Sequence, residues 1–275
     1  MSVKSKLSYH FNRPFRRRFI PVLNFILTLL RRKVITKLIR NKHSNRFELY
    51  EGKELIHVDV VPGWLLSKAF LKSIVMKVNL RYFDLIPGHV VIDVGAGTGT
   101  EAIIYADLVG ARGKVFAIES HPETFKSLQT LIDKGGYSNI EAHQVAIGSE
   151  NGAVWLQNQH AHQKNALMEE PDLEEKAVNV QMRTLDQFVF DNKIKRIDFL
   201  KVNIEGAELQ MLGGMTQSIH IIKAAAISCH DFIGNDNAFP IMNEVRNFFM
   251  NHGFRVLHIP EAHPVANSWL YMIKD

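Results

Sequence analysis

The sequence predicts an α/β fold: a mostly parallel sheet with helices on both faces, ending in an antiparallel pair of strands. Three observations carry this. From Val90 onward, apolar strand-like runs alternate with helix-like stretches, the pattern of parallel strands joined by crossover helices. The first run, Val90-Val91-Ile92-Asp93-Val94, passes at once into Gly95-Ala96-Gly97-Thr98-Gly99-Thr100, a glycine-rich turn that opens a helix. The last two apolar runs, 254–259 and 269–273, are joined by a short Pro-bearing connection, which favours an antiparallel hairpin.

At 275 residues the chain has room for one large domain or two small ones, and 46% hydrophobic residues supply a substantial core. Cys229 is the single cysteine, so there is no disulfide framework and no cysteine-based zinc site, and no metal is expected. The net charge of +5 hides an asymmetry. Of 33 Lys and Arg, 12 lie in residues 1–42, which hold no acid; the other 21 face all 28 acids, a balance of −7. The basic character therefore belongs to the N-terminal arm, and no nucleic-acid partner is expected.

Residues 1–42 read as a separate arm. Arg16-Arg17-Arg18 and Arg31-Arg32-Lys33 bracket a twelve-residue apolar run, Phe19 to Leu30, too short to span a bilayer, which takes about 20 residues. No small-residue cleavage site follows, which argues against a signal peptide. The favoured reading is a basic amphipathic helix lying on an anionic membrane surface or a partner; a helix packed on the main domain carries equal weight. Residues 43–89 hold a leading strand, 54–61, and a helical stretch from Trp64 to Tyr82. Residues 90–275 form the main domain. Its helix over 123–134 stops at Gly135-Gly136, a strand runs from Ile140 to Ile147, and a short strand follows at 153–156. Residues 157–176 are a polar stretch bearing His160, His162 and Lys164, either a loop over the site or a solvated surface. A strand resumes at 178–182, and Thr184 is placed to cap the next helix. The run 196–208 is mostly a buried strand ending in polar groups and leading into a helix, and a strand at 223–229 and a helix at 242–252 complete the pattern.

Gly95, Gly97 and Gly99 form G-x-G-x-G rather than the G-x-G-x-x-G that cradles a pyrophosphate, which disfavours an NAD-dependent oxidoreductase. Glu119 ends the next strand, Lys114 to Glu119, and lies 24 residues after Gly95, near the distance at which a carboxylate reaches a ribose diol.

With these residues on the page, the chain from Val90 to its C-terminus resembles the FkbM-type S-adenosylmethionine (SAM)-dependent methyltransferases, within the class I methyltransferase fold and its Rossmann-like sheet. The resemblance lies in VIDVGAGTGTEA, GKVFAIESHPETFKSL, HQVAIGS and RTLDQF, and most specifically in IDFLKVNIEGAELQMLGG. Two departures stand out: the family often has Asp where Asn203 stands, and Glu-Pro where Glu119-Ser120 stands.

The resemblance implies methyl transfer from SAM to a hydroxyl oxygen of a sugar, glycolipid or natural-product acceptor. It places Asp93, Gly95, Ala96, Gly97 and Gly99 along the methionine side of SAM and Glu119 on the ribose hydroxyls. Ser120 and His121 would lie near ribose and adenine, with Val145 and Ala146 flanking the adenine. On the acceptor side, Asn203 and Glu205 follow the fourth core strand and His230 follows the fifth. Glu205 or His230 is the candidate base, since a histidine is tuned to take a proton near neutral pH. Plainer readings stand beside them: Glu205 as a helix N-terminal acid and His230 as a strand-end histidine bonded to backbone. Lys201 is expected to pair with Glu205 or Glu208. The expected location is cytoplasmic, peripheral to a membrane where the arm binds one. The reading from another class is a non-catalytic membrane-associated scaffold that keeps the fold.

Overall fold

The computed structural model describes residues 36–40, 47–51, 54–58, 67–157, 167–168, 177–231, 240–260 and 267–274. In chain order the elements are β1 (Thr36–Arg40), β2 (Phe47–Glu51), β3 (Glu54–Val58), α1 (Lys68–Val78), β4 (Val90–Val94), α2 (Ala102–Val109) and β5 (Lys114–Ile118). Then come α3 (Pro122–Gly135), β6 (Ile140–His143), β7 (Ala146–Ile147), β8 (Gly152–Gln157), β9 (Leu167–Met168), β10 (Ala177–Arg183) and α4 (Leu185–Asp191). The last are β11 (Ile197–Val202), α5 (Glu208–Gly213), β12 (Ile222–Ser228), α6 (Pro240–Asn251), β13 (Arg255–His258) and β14 (Trp269–Ile273).

The main sheet has seven strands in the order β13-β14-β12-β11-β4-β5-β6. Its pairs are parallel from β12 to β6, and β14 pairs antiparallel with both β12 and β13. This is the expected α/β sheet with its C-terminal hairpin. Every residue of β11 is buried, as is every residue of β4 after Val90, because a parallel sheet is covered on both faces. Alternate residues feed two cores. Ile92, Val94, Leu200 and Val202 pack on one face, against α4, α5 and α6. Val91, Val115, Ala117 and Phe199 pack on the other, against α1, α2 and α3. After β4 the chain moves outward through β5 and β6, then returns to lay β11 on the other side of β4. The carboxyl ends of β4 and β11 thus flank the topological switch point, where open parallel sheets hold their ligands.

Local chemistry explains the helix ends. Thr184 caps α4, its Oγ1 accepting from Gln187 N at 3.0 Å. Pro122 opens α3, and Gly136, at φ 70°, closes it in the left-handed conformation. The helical stretch expected from Trp64 to Tyr82 is shorter: Ser67 Oγ accepts from Phe70 N and α1 ends at Val78.

Two expectations need correction. The run 140–147 is two strands, not one. β6 is the edge of the main sheet, while β7 leaves that edge to pair with β10 in a separate four-stranded sheet, β7-β10-β8-β9. Likewise the end of the N-terminal arm is not helical. Thr36–Arg40 is a strand, because Phe47–Glu51 offers it an antiparallel partner, with Leu38 opposite Leu49. The rest of the arm, residues 1–35 and 41–42, and the polar stretch with His160, His162 and Lys164 lie outside the described residues. Among the described residues, no helix is long and apolar enough to cross a membrane.

Candidate active site

The glycine turn after β4 is pinned to its neighbours by backbone. Gly95 N and Ala96 N both donate to Ile118 O at 2.9 Å, and Asn203 N donates to Val94 O at 3.0 Å. Gly95 sits at φ 75°, and a Cβ there would collide with the carbonyl oxygen of Asn203. Glycine is required at this position because β11 passes directly beneath it. Gly99, at φ 89°, is constrained from the other side, since a Cβ would meet Leu128 Cδ1 at 2.6 Å. Gly97 differs. It has φ 58°, but a Cβ there would meet nothing within 4 Å. Its open side is the space beside the turn.

Glu119 ties this turn to the end of β5. One carboxylate oxygen accepts from Gly97 N at 2.9 Å and the other from His121 N at 2.8 Å. A half-buried carboxylate, the half-buried backbone of Gly97 and open space beside it therefore meet at one end of the sheet. This donor and acceptor set suits a ligand with a diol and a polar tail, as SAM has. Ser120 is half-buried and His121 is buried at the N-terminus of α3. Val145 packs in the core and Ala146 starts β7, so both expected adenine neighbours are buried here.

Behind the turn lies a buried ion cluster. Lys201 Nζ is 2.9 Å from Asp93 Oδ1, 3.0 Å from Glu101 Oε2 and donates to Gly95 O at 2.8 Å. Lys201 therefore pairs with Asp93 and Glu101, not with Glu205 or Glu208. The sheet register sets this, because Lys201 stands opposite Asp93 across β11 and β4 and on the same face. Burial raises the Asp93 carboxyl to about 6 against the pull of Lys201. Burial would lower the lysine, but Asp93 and Glu101 outweigh it and hold Lys201 charged.

The second cluster lies beyond the ends of β11 and β12. His230 is buried, with Nδ1 at 2.6 Å from Glu208 Oε1 and Nε2 at 3.7 Å from Glu205 Oε2. The structure thus brings Glu205 and His230 together, as expected, and adds Glu208, which sequence reasoning had placed only as a partner for Lys201. Glu205 is not in a helical first turn. It sits in the turn before α5 at φ 53°, a left-handed conformation that a non-glycine residue holds only under constraint. Burial raises its pKa, with His230 opposing. Burial would lower His230, but the hydrogen bond and charge of Glu208 outweigh it and raise its proton affinity. Asn203 is half-buried at the end of β11, its backbone between the two clusters.

Other motif residues hold the frame. Asp186 accepts from Ser218 N and Oγ, Gln217 N and Thr216 Oγ1, which fixes the turn after α5. Asp198 accepts from Val90 N at 2.7 Å, latching the start of β4. Asp231 accepts from Ile241 N and Met242 N, anchoring the start of α6.

Comparison with known proteins bears on this arrangement. A family model described as the Methyltransferase FkbM domain matches residues 93–256. Among curated proteins, a protein-L-isoaspartate O-methyltransferase of Aeropyrum pernix is 37% identical over 71 residues, covering 26% of this chain and 27% of that protein. Methyltransferase 1 of Beauveria bassiana is 26% identical over 144 residues, covering 46% and 57% respectively. The matches thus span between 27% and 57% of the length of these two relatives. Among solved structures, the methyltransferase FkbM of Methylobacillus flagellatus is 16% identical with a TM-score of 0.48, covering 68% of this chain and 43% of that one. A fibrillarin of Aeropyrum pernix with natively bound SAM is 11% identical with a TM-score of 0.45, covering 87% and 98%.

Proposed function

The chain belongs to the FkbM family of SAM-dependent methyltransferases, and from that premise we propose that it methylates a hydroxyl oxygen of a sugar, glycolipid or natural-product acceptor. SAM, when bound, supplies a methyl group made electrophilic by its sulfonium. The chain's own residues hold the cofactor, orient the acceptor and take its proton.

Asp93, Gly95, Ala96, Gly97 and Gly99 are assigned to the methionine side of SAM, and Glu119 to the ribose hydroxyls. The open side of Gly97 and the carboxylate beside it support this. Ser120, His121, Val145 and Ala146 are assigned to the ribose and adenine end. Asn203, Glu205 and His230 face the acceptor. The observation that carries the reading is the pairing of His230 and Glu205 at the rim of the switch point, one a raised histidine and the other a strained carboxylate. His230 takes the proton as the acceptor oxygen attacks, and Glu205 stabilises the imidazolium that results.

Electrostatics favour a neutral acceptor over a carboxylate. Glu205 and Glu208 stand at the site, while Lys201, the nearby cation, is already balanced by Asp93 and Glu101. An anionic acceptor would meet the charge of Glu205 and Glu208 there, while Lys201 is committed to Asp93 and Glu101. The basic residues of 1–42, which no acid offsets, support approach to an anionic surface, where a lipid-linked acceptor would lie.

The test is incubation with methyl-labelled SAM and a panel of alkyl glycosides, sugars and an isoaspartyl peptide. Label incorporated into a hydroxylated probe as a base-stable ether supports the reading. Label entering the peptide as a base-labile ester, with none on hydroxyls, would overturn it.

A further inference from the structure

We propose that Glu208 is a positioning residue for proton removal: it accepts a hydrogen bond from the Nδ1–H of His230 and so leaves Nε2, turned toward Glu205, as the basic nitrogen. The proposal rests on the reading of His230 and Glu205 as the proton-accepting pair.

The geometry of Glu208 is unlike that of a structural carboxylate in this protein. Asp186 is satisfied by four donors and Asp231 by two backbone amides. Glu208 is fully buried. Its Oε1 lies 2.6 Å from the imidazole and receives a longer contact, 3.3 Å, from Gly206 N. Its Oε2 has no hydrogen-bond partner among the described residues. A buried carboxylate left with one strong partner is costly unless that partner carries the balancing proton. The pair therefore keeps a proton between Oε1 and Nδ1, and only Nε2 is left to gain or lose one.

The groups bearing on His230 pull in opposite directions, and the two carboxylates prevail. Glu208 and Glu205 raise its proton affinity, whereas burial and Lys201 oppose them. Its chain neighbours are Cys229, whose thiol is pushed well up by burial, and Asp231, which is committed to α6; Arg246 of α6 bears on Cys229. The topology serves the same end. Glu208 opens α5 after β11 and His230 follows β12, so two adjacent parallel strands deliver carboxylate and imidazole to one rim. A carboxylate behind a histidine fixes its tautomer and stabilises the imidazolium formed during the reaction.

The test is NMR of the full chain labelled with 15N-histidine, His230 being assigned by the signals lost in His230→Gln. In the unsubstituted protein, Nδ1 stays protonated across the titration and Nε2 titrates with a midpoint above the ordinary histidine value. Glu208→Gln lowers that midpoint by about one pH unit or more and mixes the tautomers, and Glu208→Asp restores part of the shift. A proton on Nε2 rather than Nδ1 in neutral His230 of the unsubstituted protein would overturn the proposal, even where Glu208→Gln fails to fold. An unshifted midpoint in folded Glu208→Gln would overturn it too. SAM calorimetry on the same samples separates the two claims. Unsubstituted protein that binds no SAM counts against the methyltransferase site, whereas the imidazole signals decide the role of Glu208 alone.

Discussion

Lys201 and Asp93 stand opposite each other in the register of β11 and β4, and their side chains form a 2.9 Å ion pair that solvent does not reach. The pair lies under the glycine turn, and the same ammonium holds the carbonyl of Gly95. Sheet register thereby sets the position of the turn.

Removing one partner strands the other in the interior. Lys201→Met is expected to cost about 3–5 kcal/mol, since a buried charge left unpaired is far costlier than one never buried. Urea unfolding measures this. The double variant Lys201→Met, Asp93→Asn should lose less than the sum of the two single changes.

Gly95 and Gly97 separate fold from ligand. Gly95→Ala drives a methyl into the backbone of Asn203 and should unfold the turn. Gly97→Ala meets open space and costs only about 1–2 kcal/mol of left-handed strain. The alanine methyl nonetheless enters the space assigned to SAM. Thermal unfolding should show a modest loss for Gly97→Ala, and calorimetry a loss of SAM affinity of at least tenfold.

Glu205 holds its backbone in the left-handed region. Glu205→Gly removes a non-glycine side chain from φ 53° and should leave stability unchanged or raise it by about 1 kcal/mol. Methyl transfer should nevertheless fall at least tenfold. Equal activity in that variant would remove Glu205 from the reaction.

The pH dependences of rate and stability should oppose each other. The folded protein raises the pKa of His230 above its unfolded value. Its contribution to stability is therefore complete below the ordinary histidine pKa, about 6.5, and is lost as pH rises through the higher folded value. A base must be unprotonated, so the methyl-transfer rate should climb over that same interval and level off above it. Rate profiles and urea midpoints across pH 5–9 check both limbs, and Glu208→Gln should move the rate limb to lower pH.

Much of this was legible in the chain. The β4 strand and glycine turn announce themselves because apolar residues run straight into glycines at a spacing few other structures need. Glu119 stands out because it is an acid at the end of a strand, and the structure places it against the glycine turn. Glu205 and His230 come together because both follow core strands. The partners of buried charges were not legible. Lys201 lies near Glu205 and Glu208 in sequence, yet register, which sequence does not print, carries it to Asp93. Glu208 was missed as a partner of His230 because 22 residues and a strand crossing separate them. Its signal was the short helix opening there, which turns its side chain back toward the strand ends. The β7-β10-β8-β9 sheet was hidden for another reason: β8 and β10 read as strands, but the two-residue β7 and β9 have no periodicity to read.

The central claim is that the turn from Gly95 to Gly99, with Glu119, is a SAM site. Calorimetry of the purified protein with SAM, with NAD in parallel, and of Glu119→Ala with SAM tests it most directly. The account predicts micromolar SAM binding, no NAD signal, and at least a tenfold loss of SAM affinity in a folded Glu119→Ala protein. NAD binding without SAM binding, or SAM affinity unchanged by Glu119→Ala, would contradict it.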